Sequence, residues 1–294
     1  MSADFQTWAQ TERARCEQLL DAWVRADAPA GLGEAMRYGV LGGGKRLRPL
    51  LALAACEAVG GDRGAAERAA VAVELIHAYS LIHDDMPCMD NDVLRRGKPT
   101  VHVAFGEAQA MLAGDAMQAL AFEVLTPETG VEPALQAQLC RLLARASGYA
   151  GMAGGQAIDL AATGQTLNEA ELQAMHRLKT GALLEASVLM GAACGQTPAA
   201  QWQALQTYGQ ALGLAFQVVD DILDVTQDSA TLGKTAGKDG EANKPTYVSV
   251  LGLEASRRFA DRLHAQALEA LARTPDLAVR RLRELADVVV AREH

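Results

Sequence analysis

The stretch TPAAQWQALQTYGQALGLAFQVVDDILDV, residues 197–225, determines the fold that we expect for this chain. It opens with Thr197 as a helix N-cap and Pro198 at the first helical position, where proline is favoured. Apolar residues then lie on nearly every face of the turns over 216–223, which is typical of a helix buried in a protein core. The stretch therefore predicts one long, buried helix.

Composition extends this helical prediction to the rest of the chain. Of the 294 residues 50% are hydrophobic but only 4% are aromatic, which favours helices because strands are enriched in aromatic and β-branched residues. Strand-type alternation is absent. Further helices are predicted over about 65–85, over about 101–125, from Asn168 with Glu171 completing a capping box, and from about Pro275. We expect residues 1–294 to form a single all-α domain, a large bundle with one core.

Charge and cysteine usage narrow the classes of partner. The formal net charge of −9 argues against a nucleic-acid partner. An anionic substrate would have to be met by clustered bases or by metal ions. The five cysteines include no Cys-x-x-Cys pair, which favours reduced thiols over disulfides or a zinc site. Without a signal-peptide core or an apolar stretch long enough for a membrane span, the chain is expected to be cytoplasmic.

The segment SLIHDDMPCMDNDVLRRGKPT, residues 80–100, places three aspartates after an apolar run. Asp84 and Asp85 close a predicted helix, and Asp90 follows six residues after Asp84. In an unbroken helix that spacing puts Asp84 and Asp90 on different faces. Because Pro87 cannot donate to the preceding turn, we expect a break that returns Asp90 to the side of Asp84.

A second acidic cluster lies in the long helix. Asp220 and Asp224 are four residues apart and share one face, and Gln217 lies on the same side. A single acidic cluster is most often a solvated helix end, but two clusters in apolar surroundings favour a cation site. Oxygen ligands alone indicate a hard cation. Mg²⁺ is preferred because so few carboxylates leave room for water and phosphate oxygens.

The glycine-rich stretch YGVLGGGKRLRP, residues 38–49, matches the start of a P-loop, but Arg46 stands where a P-loop needs Ser or Thr and no strand precedes it. A P-loop is therefore rejected. What remains are exposed backbone amides followed by Lys45, Arg46 and Arg48 at a helix start, where anions bind favourably. The alternative is a glycine-rich turn with surface bases.

Other basic residues are weak signals one by one. Arg95 and Arg96 follow the first acidic cluster, and a guanidinium suits phosphate, although a surface pair is the alternative. His77 lies two turns before Asp84 on the same face, but a lone helical histidine is more often structural. The remaining candidates are Lys179 with Thr180 in a helix, and Lys234, Lys238 and Lys244 in or beside a long loop.

These features together suggest one kind of chemistry. Carboxylates would hold Mg²⁺, the metal and the arginines would hold a diphosphate, and apolar helix walls would hold a hydrocarbon. Two acidic clusters with separate basic clusters suggest two phosphorylated substrates.

In combination the motifs resemble those of the trans-isoprenyl diphosphate synthases. Asp84-Asp85-Met-Pro-Cys-Met-Asp90 with Leu-Arg-Arg-Gly is similar to the first aspartate-rich motif in its bacterial form, and Asp220-Asp221-Ile-Leu-Asp224 is similar to the second. The segments GGGKRLRP, GGQAIDL, MHRLKTGAL, ATLGK and NKPTY also fit, so the likeness covers nearly the whole chain. Asn91 stands where close relatives often carry another aspartate. The likeness is closest to the bacterial farnesyl diphosphate synthases.

The resemblance implies an all-α fold around a deep central cavity, a homodimer, and three Mg²⁺ ions on an allylic diphosphate. The implied metal ligands are Asp84, Asp85, Asp90, Asp220, Asp221 and Asp224. The implied contacts of the allylic diphosphate are Arg95, Lys179, Thr180, Gln217, Lys234 and Lys244. Those of isopentenyl diphosphate are Lys45, Arg48, His77 and Arg96. The catalytic set is expected to be Asp84, Asp85, Asp90, Arg95, Lys179 and Asp220. Gln156 and Asp159 match without a clear role.

The expected reaction joins isopentenyl diphosphate to dimethylallyl or geranyl diphosphate and gives (2E,6E)-farnesyl diphosphate and diphosphate. Alternatives are a geranylgeranyl or geranyl diphosphate synthase, a terpene cyclase, or a non-catalytic partner subunit. In synthases of the farnesyl type, an aromatic residue at the position of Tyr79 is expected to form the cavity floor, with Ser80 beside it. Helix geometry alone puts Tyr79 about 140° round from Asp84, so a core tyrosine is the alternative.

Overall fold

The chain is built from α-helices, and this computed structural model describes residues 2–226 and 245–291. The helices of the first half are α1 Ala3–Trp23, α2 Leu32–Val40, α3 Leu47–Ala58, α4 Arg63–Asp84, α5 Val101–Phe105, α6 Glu107–Leu125 and α7 Pro133–Ser147. Those of the second half are α8 Met152–Ala161, α9 Glu169–His176, α10 Ala182–Ala193, α11 Ala199–Thr226, α12 Tyr247–Leu251, α13 Leu253–Ala272 and α14 Arg280–Val290. A 3₁₀ turn, Pro29–Gly31, precedes α2, and a π-helical turn, Arg177–Gly181, joins α9 to α10.

Three central helices carry the core. Helix α4 packs along α6 and α3, α10 lies against α3 and α11, and α11 packs along α13. Helix α4 is buried on most faces by these neighbours. A helix that is buried all round needs no polar stripe, and α4 has none. The all-α prediction is confirmed. No helix among the described residues has both the length and the apolar character needed to cross a membrane.

The predicted helix over 101–125 is two helices. Gly106 has a φ of 88°, outside the helical region, and it separates α5 from α6 while its nitrogen donates to the carbonyl of His102. Glycine adopts this conformation without a Cβ penalty, which is why the pattern of apolar residues alone did not reveal the break.

The two other helix starts also differ from the prediction. Helix α11 begins at Ala199, and the hydroxyl of Thr197 donates to the carbonyl of Ala192 at the end of α10, 2.7 Å away. The last helix begins at Arg280 instead of near Pro275. Residues 274–279 form turns there, and the amide of Ala278 donates to the carbonyl of Ala58 at the end of α3. By contrast, the capping box of Asn168 and Glu171 is present at the start of α9.

A short hairpin was not predicted. Strands β1 Leu94–Arg95 and β2 Lys98–Pro99 pair in antiparallel register, and they are the sole strands within 2–226 and 245–291. Arg96 and Gly97 form the two-residue turn, both with positive φ, 54° and 74°. Two positive φ values suit the twist of a tight hairpin. Strands of two residues are too short to produce a readable alternation in the sequence.

Candidate active site

A cavity of about 440 Å³ lies between α4, α8, the π-helical turn and α11. This volume is in the range of small-molecule sites, about 300–1,000 Å³. Predicted site residues at its wall are Arg48, His77, Tyr79, Ser80, Asp84, Lys179, Thr180, Gln217 and Asp220. Met89, Met152, Leu160 and Phe216 supply apolar wall. The cavity thus presents charged groups and an apolar surface to the same space.

The first acidic cluster folds back as expected from the proline. Helix α4 ends at Asp84, and the amide of Asp90 donates to the carbonyl oxygen of Asp84 at 2.8 Å. The amide of Asn91, which has a φ of 50°, donates to the carbonyl of Met86. The loop after Pro87 therefore returns Asp90 to the end of α4, and the predicted break is confirmed.

The surroundings of Asp84 disfavour the charged form of its carboxyl group. Burial raises its pKa to about 6, the negative charges of Asp90 and Asp85 act in the same direction, and Lys179 and Arg95 oppose them. A carboxylate with a raised pKa carries its negative charge at a cost. A cation in the cavity would remove that cost.

Asp85 faces away from the main cavity. Its buried carboxylate accepts from Arg95, with Nε 2.8 Å from Oδ2 and Nη2 2.6 Å from Oδ1. Both residues line a smaller recess on the other side of the loop, together with Arg96. In the protein without ligand, each of these two predicted site residues therefore serves as the partner of the other.

The aspartates of the second acidic cluster also have different surroundings. Asp220 lines the cavity, whereas the buried Asp221 accepts from Gln217 Nε2 at 2.8 Å and from the amide of Tyr247 at 2.7 Å. The latter bond satisfies a backbone amide at the start of α12. Gln217 in turn accepts from the hydroxyl of Thr180 at 2.9 Å. Asp224 is buried one turn beyond Asp220.

The π-helical turn delivers Lys179 and Thr180 to the cavity. Single π turns are frequent at functional sites because they shift side chains off the regular helical register. Helix α8 packs directly on this turn at Gly155, where a Cβ would lie only 2.5 Å from the Cα of Lys179. Lys179 donates to the buried carboxylate of Asp159 on α8 at 2.6 Å. The second glycine of GGQAIDL, Gly155, is therefore needed for the close approach of α8 to this turn.

Gln156 is a site residue whose role the sequence left open. It lines the cavity beside Lys179, and both atoms of its side-chain amide are buried without a hydrogen-bond partner. Buried amides are normally satisfied. An unsatisfied amide at a cavity wall indicates a ligand with both donor and acceptor groups, or water, at this point.

Arg48 and His77 form the basic wall of the cavity. Arg48 is buried near the start of α3, its Nε has no hydrogen-bond partner, and burial lowers its pKa while Glu74 and Asp220 oppose that effect. Burial also holds the pKa of His77 well below its usual value, and the charge of Arg48 adds to this. A buried guanidinium with an unused donor is suited to an anionic ligand.

The glycine-rich loop brings a further arginine close. Arg96 is exposed and donates to the carbonyl of Gly43, and its charge contributes to the low pKa of His77. Arg46 has a structural role instead: its buried guanidinium pairs with Glu74 and Glu17. Of the three bases in KRLR, Arg48 alone lines the main cavity.

Lys45 lies elsewhere. It is exposed and borders a second cavity, of about 450 Å³, formed with α1 and α14 on the other side of Phe216. Lys234, Lys238 and Lys244 lie outside the described residues.

Tyr79 and Ser80 both line the cavity. Tyr79 is 9% exposed, and burial, with a smaller effect of Asp84, raises the pKa of its phenol. Ser80 is half-buried and donates to the carbonyl of His77 at 2.9 Å. The position of Tyr79 at the wall could not be derived from helical spacing.

The donors fit a hard cation that arrives with its own ligands. Among the residues that the structure describes, no group of three or more carboxylate, imidazole or thiol side chains is arranged to enclose a metal ion. Asp84 and Asp220 nevertheless face one cavity from two helices, and burial raises the pKa of Asp84 to about 6. Mg²⁺ is usually held by one or two carboxylates plus water and substrate phosphates.

Comparisons with known proteins identify the family and the relatives of this chain. The model of the Polyprenyl synthetase family matches residues 29–282. A heterodimeric geranylgeranyl pyrophosphate synthase large subunit 1, chloroplastic, from Arabidopsis thaliana is 46% identical over 299 residues, covering 100% of this chain and 81% of that protein.

Two solved structures are also similar. The FPP/GFPP synthase of Zymomonas mobilis, in its apo form, is 41% identical with a TM-score of 0.87, covering 99% of this chain and 100% of that one. A geranyltransferase of Helicobacter pylori, complexed with magnesium and isoprenyl diphosphate, is 35% identical with a TM-score of 0.85, covering 99% and 98%.

The expected cytoplasmic location is wrong by this comparison. Several of the plant relatives, the Arabidopsis protein among them, are named as chloroplastic. The amino-acid pattern of a folded enzyme depends on its core and site, and these do not differ systematically between the two compartments. The location was inferred from the polar N-terminal residues and from the lack of an apolar stretch long enough to span a membrane, and neither feature distinguishes the two compartments.

The extent of the family match and the identity to the relatives are decisive, and the helical architecture agrees with them. The chain belongs to the polyprenyl synthetase family of prenyltransferases and has the isoprenoid synthase fold.

Proposed function

We propose that this protein is a Mg²⁺-dependent synthase that condenses isopentenyl diphosphate with an allylic diphosphate, releases diphosphate, and ends at geranylgeranyl diphosphate. The observation that carries the proposal is the cavity itself. Carboxylates from α4 and α11, bases from α3 and the π-helical turn, and an apolar wall all border one space. A phosphorylated hydrocarbon needs all three.

The acidic end of the cavity is the proposed site of the allylic diphosphate. Asp84, Asp90 and Asp220 would hold Mg²⁺, and Asp85, Asp221 and Asp224 would complete the ligand set after rearrangement. Bound Mg²⁺ would neutralise charge on the departing diphosphate. Lys179, Thr180 and Gln217 face the same space and would bind phosphate oxygens, with Lys234 and Lys244 as further candidates.

Two contacts would have to break before all of these carboxylates could bind Mg²⁺. Arg95 is engaged by Asp85, and Asp221 holds the amide of Tyr247. If these carboxylates turn toward a metal, Arg95 is released to bind phosphate and the start of α12 loses its partner. Substrate binding is therefore proposed to be coupled to a movement of the 85–95 loop and α12.

The basic wall is the proposed site of isopentenyl diphosphate. Arg48 has an unused, buried Nε–H, and His77 beside it is neutral at pH 7 because its pKa is lowered. A neutral imidazole still donates one hydrogen bond. Arg96 would close the site from the glycine-rich loop, and Lys45 would have to turn from its own cavity to take part.

The apolar wall has a chemical role. When the allylic carbon–oxygen bond breaks, the hydrocarbon carries a positive charge that water would capture. Met89, Met152, Leu160 and Phe216 line this part of the cavity, and with substrate bound they would help to keep water from the cation. The double bond of isopentenyl diphosphate attacks that carbon, and the proton then lost can go to the departing diphosphate. No protein group is needed as a general base.

Product length has two candidates. The relatives that support geranylgeranyl diphosphate are named as synthases of that compound. Farnesyl diphosphate is the second candidate, and one observation favours it: the bulky, buried ring of Tyr79 stands at the cavity wall. Chromatography of dephosphorylated products from labelled isopentenyl diphosphate distinguishes twenty-carbon from fifteen-carbon alcohols.

Residues 1–294 are proposed to form one synthase domain that assembles as a homodimer. Val103, Met111 and Leu112, on α5 and α6, are large apolar residues that are exposed in the single chain, and a second copy would cover them. The Arabidopsis relative is named as heterodimeric, so a different partner is the alternative. Light scattering of the purified protein should give twice 31.1 kDa.

A further inference from the structure

His83 is held in one orientation by two neighbours. It lies one residue before Asp84 and one turn after Tyr79. Its imidazole meets the Tyr79 ring edge-on, with ring centroids 5.6 Å apart and planes at 74°. Its Nε2 lies 3.1 Å from the carbonyl oxygen of Met111 on α6. Because a carbonyl can only accept, Nε2 carries the hydrogen.

The space for this imidazole exists because residue 114 is glycine. Gly114 is buried on α6 opposite His83. A Cβ at this position would lie 2.5 Å from Cδ2 and 2.7 Å from Cε1 of the imidazole, and closer still to Nε2. Real Cβ contacts are not this short, so any other residue would displace the ring. The backbone of α6 has little room to withdraw, since α4 and α6 pack along most of their length.

Both rings border the cavity. Tyr79 is in edge-on contact with His83, and His83 is in turn held by Met111 and Gly114. A larger residue at position 114 would therefore shift the His83 ring, and through it the Tyr79 ring at the cavity wall that we expect to contact the hydrocarbon. Neither His83 nor Gly114 has a catalytic or ligand role in the proposed chemistry.

We propose that His83 is a positioning residue that fixes Tyr79 at the cavity wall, that Gly114 makes this position possible, and that the pair helps to set the length of the product. The proposal rests on the proposed function, since it concerns the product of that reaction. It adds residues that act through Tyr79 and do not touch the reacting atoms.

The two single substitutions have opposite consequences. His83→Ala removes the ring that contacts Tyr79, so the Tyr79 ring can shift and longer chains fit. Gly114→Ala pushes the imidazole toward Tyr79 and the cavity, so chains become shorter. An aromatic contact stabilises a ring position by an amount that corresponds to a roughly two- to tenfold change in populations. The ratio of longer to shorter products should change by about that factor in each variant.

The decisive experiment is a double-mutant cycle on product distribution. Wild type, His83→Ala, Gly114→Ala and the double variant are assayed with dimethylallyl and with farnesyl diphosphate as primers. Because the three atoms nearest to the new methyl group all belong to the imidazole, Gly114→Ala should shift products in the wild-type background and have little effect in the His83→Ala background. In the wild-type background, Gly114→Ala should raise KM for farnesyl diphosphate by a larger factor than the factor by which it lowers kcat with dimethylallyl diphosphate.

Two further variants separate support from general damage. His83→Gln keeps a donor for the Met111 carbonyl but offers no ring edge to Tyr79, so it should still lengthen the products. Gly64→Ala, an exposed position in the first turn of α4 where a Cβ meets only Asp62 Oδ1 at 3.3 Å, should leave products and stability unchanged. Thermal unfolding of the same cycle tests the contact without reference to activity.

Particular results would overturn the proposal. If Gly114→Ala shifts the products equally in both backgrounds, or if all folded variants give the wild-type distribution, His83 does not position Tyr79. In either case the wild-type activity would leave the proposed function standing. A wild-type protein with no prenyl transfer would instead overturn the proposed function, and this proposal with it.

Discussion

The amide of Asp90 donates to the carbonyl oxygen of Asp84 across 2.8 Å. This bond caps the end of α4 and brings two carboxylates that are six residues apart to the same point. The repulsion between them contributes to the raised pKa of Asp84, after burial. An arrangement that costs free energy in the protein without a cation is understandable if the site is built to receive one.

The first prediction concerns removal of the cavity carboxylates. Asp84→Ala or Asp220→Ala should lower kcat at least about 100-fold, as loss of one preorganised electrostatic contact typically does. The midpoint of thermal unfolding should not fall, because one of several crowded charges is removed. Steady-state assays and calorimetry measure the two effects. Asp261→Ala, an exposed position on α13, is the control and should change neither.

The second prediction is a pH dependence of stability without metal. Burial raises the pKa of Asp84 to about 6 in the folded protein, from about 3.8 for an unperturbed aspartate. Between about pH 4 and about pH 6 the folded state therefore binds more protons at Asp84 than the unfolded state does. The contribution of Asp84 to stability falls as the pH rises through this range and is constant above it.

Asp84→Asn removes that dependence. The variant should gain more unfolding free energy at pH 7.5 than at pH 4.5, by about 2 kcal/mol. Urea unfolding in the presence of a chelator gives both values. An equal gain at the two pH values would mean that Asp84 titrates normally.

The third prediction assigns opposite effects on stability to two arginines. Arg48 is buried with an unpaired Nε, so Arg48→Met should leave the ligand-free protein as stable or more stable. Arg95 neutralises the buried Asp85, so Arg95→Met should lower the free energy of unfolding by roughly 3 kcal/mol. Denaturant titrations of both variants, with the exposed Arg258→Met as control, provide the comparison.

The same two variants should affect KM for different substrates. Arg48→Met should raise KM chiefly for isopentenyl diphosphate, and Arg95→Met should act chiefly on the allylic substrate. The reason is that Arg48 lies with His77 on the basic wall, whereas Arg95 lies beside the first acidic cluster. Matching increases for both substrates in each variant would show that the two diphosphates are not bound as proposed.

The fourth prediction concerns Tyr79. Tyr79→Ala should extend the products by at least one five-carbon unit and cost about 3–5 kcal/mol of stability, as truncation of a buried aromatic residue does. Tyr79→Phe keeps the ring and should retain the wild-type length. The products are measured by chromatography after dephosphorylation. A folded, active Tyr79→Ala variant with unchanged products would remove this residue from the cavity floor.

Much of the site could be predicted because it depends on short-range geometry. The return of Asp90 follows from Pro87, and the shared face of Asp220 and Gln217 follows from helical spacing. Both act within one element or one turn, where bond geometry leaves few choices.

The pairings between elements could not be predicted. Nothing in the spacing indicates that Asp85 binds Arg95, or that Asp221 binds the amide of Tyr247, 26 residues away. Such contacts depend on how separate helices pack. The position of Lys45 at a second cavity has the same origin, since it depends on how α1 and α14 pack beside the glycine-rich loop.

The most direct test of the central claim is a single assay with labelled isopentenyl diphosphate. The purified protein is supplied with Mg²⁺ and, separately, dimethylallyl, geranyl and farnesyl diphosphate, and the products are separated by length while released diphosphate is counted. We predict all-trans geranylgeranyl diphosphate as the end product, one diphosphate released per isopentenyl unit added, and no turnover after chelation of the metal. Cyclised hydrocarbons from the allylic substrate alone, or no incorporation of label with any primer, would contradict the account.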